Sequence, residues 1–346
     1  LEFDESFRQE GEQRKDTDIN KLCAYGISPL DDALVAIANN ELIVIGADSG
    51  GGKSEIALHL AQHKAKKGKK VALYYLEGGY TEAMSRMKWK DIAKEYYDNY
   101  FKLGIDMDYR NWLLNNKQNK ILLEIESKIY GEYKDKYQNN IILYSTKEGF
   151  TVDMLISSLL DFHKLIPAPT GSPFSVTDEY DLDLIIIDHL QYFSLTQEEN
   201  EISEITKILR VVKNITDNYH IPVVLISHLR KRSKDRGLPD QEDFYGSSNI
   251  PKIATTAIII SPATRNEDLV QGIFPTYIRI VKSRIGIRPN YAICVNFDLK
   301  KKIYNTKYKL FRVDEKGQIA PESMELNKLP HWAKGKNYDT RIETAD

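Results

Sequence analysis

The residues with the clearest chemistry are Gly46-Ala47-Asp48-Ser49-Gly50-Gly51-Gly52-Lys53-Ser54. Four of the seven residues from Gly46 to Gly52 are glycine. The apolar run Leu42–Ile45 leads in, and Glu55–Ala61 opens a helical pattern. Strand, glycine-rich turn and helix in that order form the setting of a phosphate-binding loop. Backbone N–H groups of Ala47, Asp48, Ser49, Gly50, Gly51 and Gly52 can wrap an anionic phosphate chain at the helix start. Lys53 would reach the terminal phosphates, and the Ser54 hydroxyl would ligate Mg²⁺. One detail is irregular. The usual spacing puts glycine where Ala47 stands, and Gly46 lies one step earlier.

Hydrolysis of a bound nucleotide needs more than a cradle. It needs a metal-orienting acid, a base for water and stabilisation of charge on the γ-phosphate. Asp188 ends the apolar strand pattern Leu182–Asp188, so it falls at the carboxyl edge of a sheet, where open α/β folds bind ligands. It is expected to orient the metal together with Ser54. Glu77 ends a second apolar run, Val71–Leu76, and is expected to polarise the attacking water. His228 follows the strand pattern Ile221–Ser227 and is a candidate γ-phosphate sensor, with a purely structural role as the alternative. The run Arg230, Lys231, Arg232, Lys234 and Arg236 follows at once. It reads either as a solvated loop or as a contact to a phosphate backbone. Lys282 and Arg284 follow the strand Tyr277–Val281 at i, i+2 spacing, so on an extended segment both point the same way. An arginine delivered to a neighbour's γ-phosphate is worth on the order of 10³–10⁵ in rate.

The elements that must position these groups alternate. Apolar strands at 42–45, 71–77, 140–144, 182–188, 221–227, 257–260 and 277–281 are separated by helical patterns, and a β-rich stretch runs from Tyr291 to about Val313. That alternation predicts an α/β fold: a mainly parallel sheet with helices on both faces. Thr151–Lys164 reads as an amphipathic helix, the proline-containing 165–180 as a loop, and Lys64–Lys70 as a solvated basic helix end. The division expected is a charged arm at 1–22, an ATPase domain at 23–322 with a helical insertion at about 88–138, and a polar surface tail at 323–346.

Composition sets limits on partners. At 42% hydrophobic and 28% charged, the 346 residues suit a globular fold. The net charge of −2 means that any nucleic-acid contact rests on a local patch. Two distant cysteines, Cys23 and Cys294, point to a reducing, cytoplasmic compartment, and no apolar run is long enough to span a membrane.

Taken together, these residues resemble the ATPase domain of DnaB-type hexameric replicative helicases, a RecA-like family that includes phage helicase–primases. Gly46-Ala47 through Gly52-Lys53-Ser54 resembles that family's phosphate loop, which is one residue longer than usual before Gly-Lys. Leu76-Glu77 resembles its catalytic glutamate strand, and Ile187-Asp188-His189-Leu190-Gln191 its metal-binding strand end, where Tyr or Asn commonly stands in place of His189. His228 is similar to the sensor of the phage relatives. Asp243–Ser248 resembles the segment after the DNA-binding loop, and Lys282-Ser283-Arg284-Ile285-Gly286 resembles the motif that supplies lysine and arginine fingers across a subunit boundary.

The resemblance implies an ATP- and Mg²⁺-dependent motor on single-stranded DNA that hydrolyses ATP between subunits of a homo-oligomer, a hexameric ring. It also implies a loader or replication partner. The alternative is a RecA- or KaiC-like regulatory or recombination ATPase, or an ATPase of a mobile-element or defence system, without strand separation. The expected departure from the family is the lack of an amino-terminal primase-like or helical hairpin domain.

Overall fold

The computed structural model describes residues 24–48, 50–100, 107–115, 119–146, 149–166, 175–195, 200–231, 237–246, 248–262, 272–284, 287, 290–335 and 337–339. Ser49, Arg232, Lys234 and Arg236, and the arm at 1–22, lie outside them.

The fold is built on β1 (Leu42–Ala47), which runs into α2 (Lys53–Ala65) after a short leading helix, α1 (Ser28–Leu34). Alternate residues of β1 serve opposite faces of the sheet. Ile43 and Ile45 enter one core and Leu42 and Val44 another. A strand buried on both faces needs apolar residues at every position, which is why this one reads as a continuous run rather than an alternation. β2 (Val71–Tyr75) follows, then the helical insertion of α3 (Tyr80–Asn99), α4 (Tyr109–Asn115) and α5 (Lys120–Tyr133). This insertion has its own core around Trp89, Trp112 and Ile125, and the Trp89 indole donates to the Lys300 carbonyl at 2.9 Å.

The chain continues through β3 (Ile141–Tyr144), α6 (Val152–Leu159), β4 (His163–Ile166), β5 (Ser175–Tyr180) and β6 (Leu184–Asp188). Next comes α7 (Glu201–Tyr219), started by Asn200, whose side chain accepts from the Ser203 N–H at 2.8 Å. Its buried stripe, Ile205, Ile208, Leu209, Val212 and Ile215, has helical spacing and lies on the sheet. β7 (Val223–His228), α8 (Asn249–Ile253), β8 (Thr256–Pro262), β9 (Ile273–Ser283), β10 (Tyr291–Asp298) and β11 (Ile303–Arg312) complete it.

The main sheet has the order β11-β10-β9-β8-β1-β7-β6-β2-β3. Pairing is parallel from β8 to β3 and antiparallel from β8 to β11. The mainly parallel α/β fold expected from the sequence is therefore present. In register, Ala47 lies opposite His228, and Tyr75 opposite Asp188. Four strand ends thus meet at one carboxyl edge.

Four expectations need correction. The helix expected over 151–164 stops at Leu159, and His163–Ile166 instead pairs with Ser175–Tyr180 as an antiparallel hairpin where a loop was expected. The polar stretch after Ser323 is no surface tail as far as Asp339. Met324, Leu329, Ala333 and Tyr338 are buried, and the Asp339 N–H donates to the Tyr308 carbonyl at 3.0 Å. Lys64, expected in a solvated helix end, is fully buried. Lys282 and Arg284, expected to point the same way, lie in different surroundings, as described below.

Candidate active site

The phosphate loop leaves β1 and enters α2 through two residues in the left-handed region, Gly50 (φ 76°) and Gly52 (φ 86°). Side chains there would be strained, which accounts for glycine at both. The Lys53 ammonium turns back onto the loop and donates to the carbonyls of Asp48 at 3.1 Å and Ala47 at 3.3 Å. Burial lowers its pKa, and Glu77, Asp188 and Asp48 pull it back up. The loop thus holds a cation against the position that a phosphate chain would occupy.

Asp188 is fully buried at the end of β6, and among the described residues its carboxylate oxygens have no hydrogen bond of good geometry, with the Ser54 hydroxyl the nearest donor. Burial pushes its pKa up to about 6; the Ser54 hydroxyl, Lys53 and Arg86 pull it down, while Glu77 adds to the rise. A buried carboxylate so sparsely bonded is costly unless something binds it. A hard, oxygen-seeking cation such as Mg²⁺ fits this donor set of one hydroxyl and one carboxylate. Among the described residues no group of three or more His, Cys, Asp or Glu side chains could hold a metal. Such an ion would accordingly take its remaining ligands from phosphate and water.

Glu77 lies just beyond β2 with its side chain 44% exposed, open to water, and its Oε2 is 3.7 Å from His189 Nε2. His228 ends β7, and its Nε2 is 2.9 Å from the Nε2 of His189. Burial lowers the pKa of His228, with Lys53 adding to the effect and Glu77 opposing it. His189 is pushed down to about 3 by burial, with His228 and Lys53 in the same direction. Glu77, Lys53, Ser54 and His228 share one cleft of about 780 Å³. Its far wall holds residues the sequence reading did not single out: Glu55 pairs with Arg86 at 3.2 Å and with Lys302 at 3.5 Å, and Tyr304 stands nearby. Only Glu55 carried a local signal, directly after Ser54. The others arrive from distant elements.

The basic run starts where β7 ends. Leu229 bridges Phe244, Arg230 N–H donates to the Asp243 carbonyl at 2.7 Å, and Tyr245 N–H donates to the His228 carbonyl at 2.9 Å. The loop between is therefore closed at its base, with Arg230 and Lys231 exposed. Arg232, Lys234 and Arg236 fall outside the described residues.

The two expected fingers behave differently. Lys282 donates to the carbonyls of Pro251 (2.6 Å), Lys252 (2.8 Å) and Ala254 (2.7 Å) at the end of α8. Arg284 is exposed. Neither lines the cleft beside the chain's own phosphate loop.

Comparison with known proteins agrees with this geometry. Residues 174–304 match the family of the DnaB-like helicase C-terminal domain. The replicative DNA helicase DnaB of Mycoplasma pneumoniae is 22% identical over 312 residues, which cover 83% of this chain and 58% of that protein. The chain therefore spans little more than half the length of this curated relative. A solved structure of an ATPase domain superposes with a TM-score of 0.67 at 17% identity, over 87% of this chain and 97% of that one. A DnaB-like replicative helicase described with its primase interactions gives 0.65 at 16% identity, over 88% and 66%. The DnaB-like resemblance holds in sequence and in fold. The phosphate loop and Glu77 lie before the matched residues and rest on the geometry above.

Proposed function

We propose that this DnaB-like chain is an ATP-hydrolysing motor on single-stranded DNA, of helicase type, working as a ring-shaped homo-oligomer. The observation that carries this reading is the convergence of Lys53, Ser54, Glu77 and His228 on one cleft, with Asp188 buried at the neighbouring strand end opposite Tyr75. Ala47 to Gly52 would cradle the triphosphate by backbone N–H groups, and Lys53 would move from the loop carbonyls to the β- and γ-phosphates. Ser54 and Asp188 would hold Mg²⁺, which when bound neutralises charge building on the phosphate oxygens. Glu77 would take a proton from the water that attacks the γ-phosphorus as the bond to the ADP oxygen breaks. His228 would contact the γ-phosphate.

Lys282 and Arg284 lie away from the chain's own cleft, which favours their acting on a neighbouring subunit. In that case Arg284 is the ready finger, and Lys282 must first leave the end of α8. Arg230, Lys231, Arg232, Lys234 and Arg236 would contact the DNA backbone. A loader or replication partner belongs to the same proposal. The deciding experiment measures ATP turnover with and without single-stranded DNA, alongside displacement of a strand from a forked duplex. Turnover stimulated by DNA together with displacement supports the motor. Turnover without displacement turns the reading toward a regulatory or recombination ATPase.

A further inference from the structure

The residue after the metal-orienting Asp188 has no assigned role, nor has Gln191. His189 is 1% exposed and sits between the two groups expected to meet the γ-phosphate and its attacking water. Its Nε2 lies 2.9 Å from His228 Nε2 and 3.7 Å from Glu77 Oε2. Its Nδ1 lies 3.1 Å from Gln191 Oε1. Which ring nitrogen carries hydrogen decides what each neighbour can do.

Gln191 determines that choice. Its Nε2 donates to Ser227 Oγ at 3.1 Å and toward the Tyr245 carbonyl at 3.5 Å. Its Oε1 accepts from the His228 backbone N–H at 3.1 Å. A carbonyl only accepts and a backbone N–H only donates, so these two groups fix the amide orientation. The reversed amide would set donor against donor at His228 and acceptor against acceptor at Tyr245. Gln191 Oε1 therefore faces His189 Nδ1, and Nδ1 must carry the hydrogen. A ring this buried, without a hydrogen-bonded carboxylate, stays neutral. Its Nε2 is then bare. A bare nitrogen only accepts, so His228 must donate its own Nε2–H to it.

We infer that Gln191 and His189 are positioning residues: Gln191 fixes the hydrogen of His189 on Nδ1, which makes His189 hold His228 and leaves Glu77 uncaptured. With the hydrogen on Nε2 instead, His189 would donate to His228 and force the His228 hydrogen onto Nδ1. It would also turn a donor toward Glu77, tying up the group that must accept a proton from water. Gln191 performs this from the turn after β6, against the end of β7, while it also reaches Tyr245 at the base of the basic loop. The hydrogen placement stands on geometry alone, whereas its effect on Glu77 rests on the ATPase reading above.

The test has two arms. In ¹⁵N-histidine-labelled, nucleotide-free protein, two-bond ¹H–¹⁵N correlations distinguish protonated from bare ring nitrogens, with His189→Asn and His228→Asn assigning the signals. His189 is expected to show hydrogen on Nδ1 and a bare Nε2, and His228 hydrogen on Nε2. A His189 with hydrogen on Nε2 overturns the inference whatever the hydrolysis rate. In the second arm, Gln191→Leu should mix the two His189 forms. It should lower kcat for ATP about tenfold, a fraction of the roughly 10²–10⁴ that a placed general base supplies, with KM nearly unchanged. Unchanged kcat, or kcat and KM shifting together as in a loosened site, overturns the positioning role. A wild-type protein that does not hydrolyse ATP removes the ATPase reading and leaves the hydrogen placement to the first arm, which also decides if Gln191→Leu does not fold.

Discussion

The ammonium of Lys282 lies 2.7 Å from the carbonyl oxygen of Ala254. With Pro251 and Lys252 it satisfies three carbonyls at the end of α8, where a helix leaves such groups unpaired and where a cation opposes the negative end of the peptide dipoles. All three ammonium hydrogens are thereby engaged. Lys282→Met should lower unfolding free energy by about 1–3 kcal/mol, the worth of hydrogen bonds to a charged group, read from the urea midpoint. Arg284→Ala should change stability by less than about 0.5 kcal/mol, as for an exposed side chain, yet lower hydrolysis in the assembled protein. A Lys282→Met protein with an unchanged midpoint would contradict the helix-end role. Full hydrolysis by assembled Arg284→Ala would remove it as a finger.

Glu77 separates chemistry from binding. A carboxylate supplies no hydrogen-bond donor to a phosphate chain, so Glu77→Gln should bind a fluorescent ATP analogue within about twofold of wild type. Turnover should fall by roughly 10²–10⁴, the usual contribution of a general base. Turnover near the wild-type rate would send the search for the base elsewhere along the same strand edge.

Lys64 gives a pH prediction with a definite sign. It is fully buried on α2, and its Nζ has no hydrogen-bond partner among the described residues. Burial pushes its pKa from 10.5 down to about 7, with Lys67 and Lys69 adding to the fall and Asp183 opposing it. Between those two values the unfolded chain holds a proton that the folded chain releases, so stability rises with pH across that window. The cost of the lysine is greatest at and below about pH 7. Lys64→Met should therefore stabilise the protein by about 1–4 kcal/mol at neutral pH, in the range seen when buried charge is replaced by apolar packing. The gain should shrink toward pH 10. Urea midpoints at pH 6.5 and 9.5 check this, and a loss of stability at 6.5 would show that Lys64 is paired.

What the sequence made legible follows from where its information is local. Lys53 and Ser54 are fixed by their neighbours in one strand–turn–helix unit. Asp188 and His228 could be read because a strand buried on both faces announces itself, and its last polar residue marks the sheet edge. Arg86, Lys302 and Tyr304 reach the same cleft from α3 and from the β10–β11 hairpin, and no spacing connects them to Lys53. The β4–β5 hairpin was hidden by Pro167, Pro169, Gly171 and Pro173, which mark the connection rather than the short strands on either side. The segment after Ser323 is mostly polar. Its buried apolar residues, Met324, Leu329, Ala333 and Tyr338, are spaced too irregularly to signal packing, although they close over the sheet. The i, i+2 spacing of Lys282 and Arg284 could not show that α8 stands beside the first of them.

Gly46 ties the phosphate loop to the basic loop, and this can be tested. A Cβ at Gly46 would come within 2.7 Å of Phe244 Cε1 and 2.8 Å of Leu229 Cδ2, the pair that closes the base of the basic loop. Both are buried, Phe244 completely, so neither can swing into solvent. Gly46→Ala should therefore cost about 1–3 kcal/mol of stability, as overpacking does, and displace the bridge rather than β1. If the loop carries DNA, affinity for single-stranded DNA should fall while the dependence of log K on log salt stays the same, because no cation is lost. Changing Lys231, Arg232 and Lys234 to Ala should flatten that dependence by about 0.7 for each phosphate contact removed. Comparing the two slopes distinguishes a displaced loop from a discharged one. A Gly46→Ala protein with wild-type stability and DNA affinity would mean that the bridge yields without consequence and that Gly46 serves the phosphate loop alone.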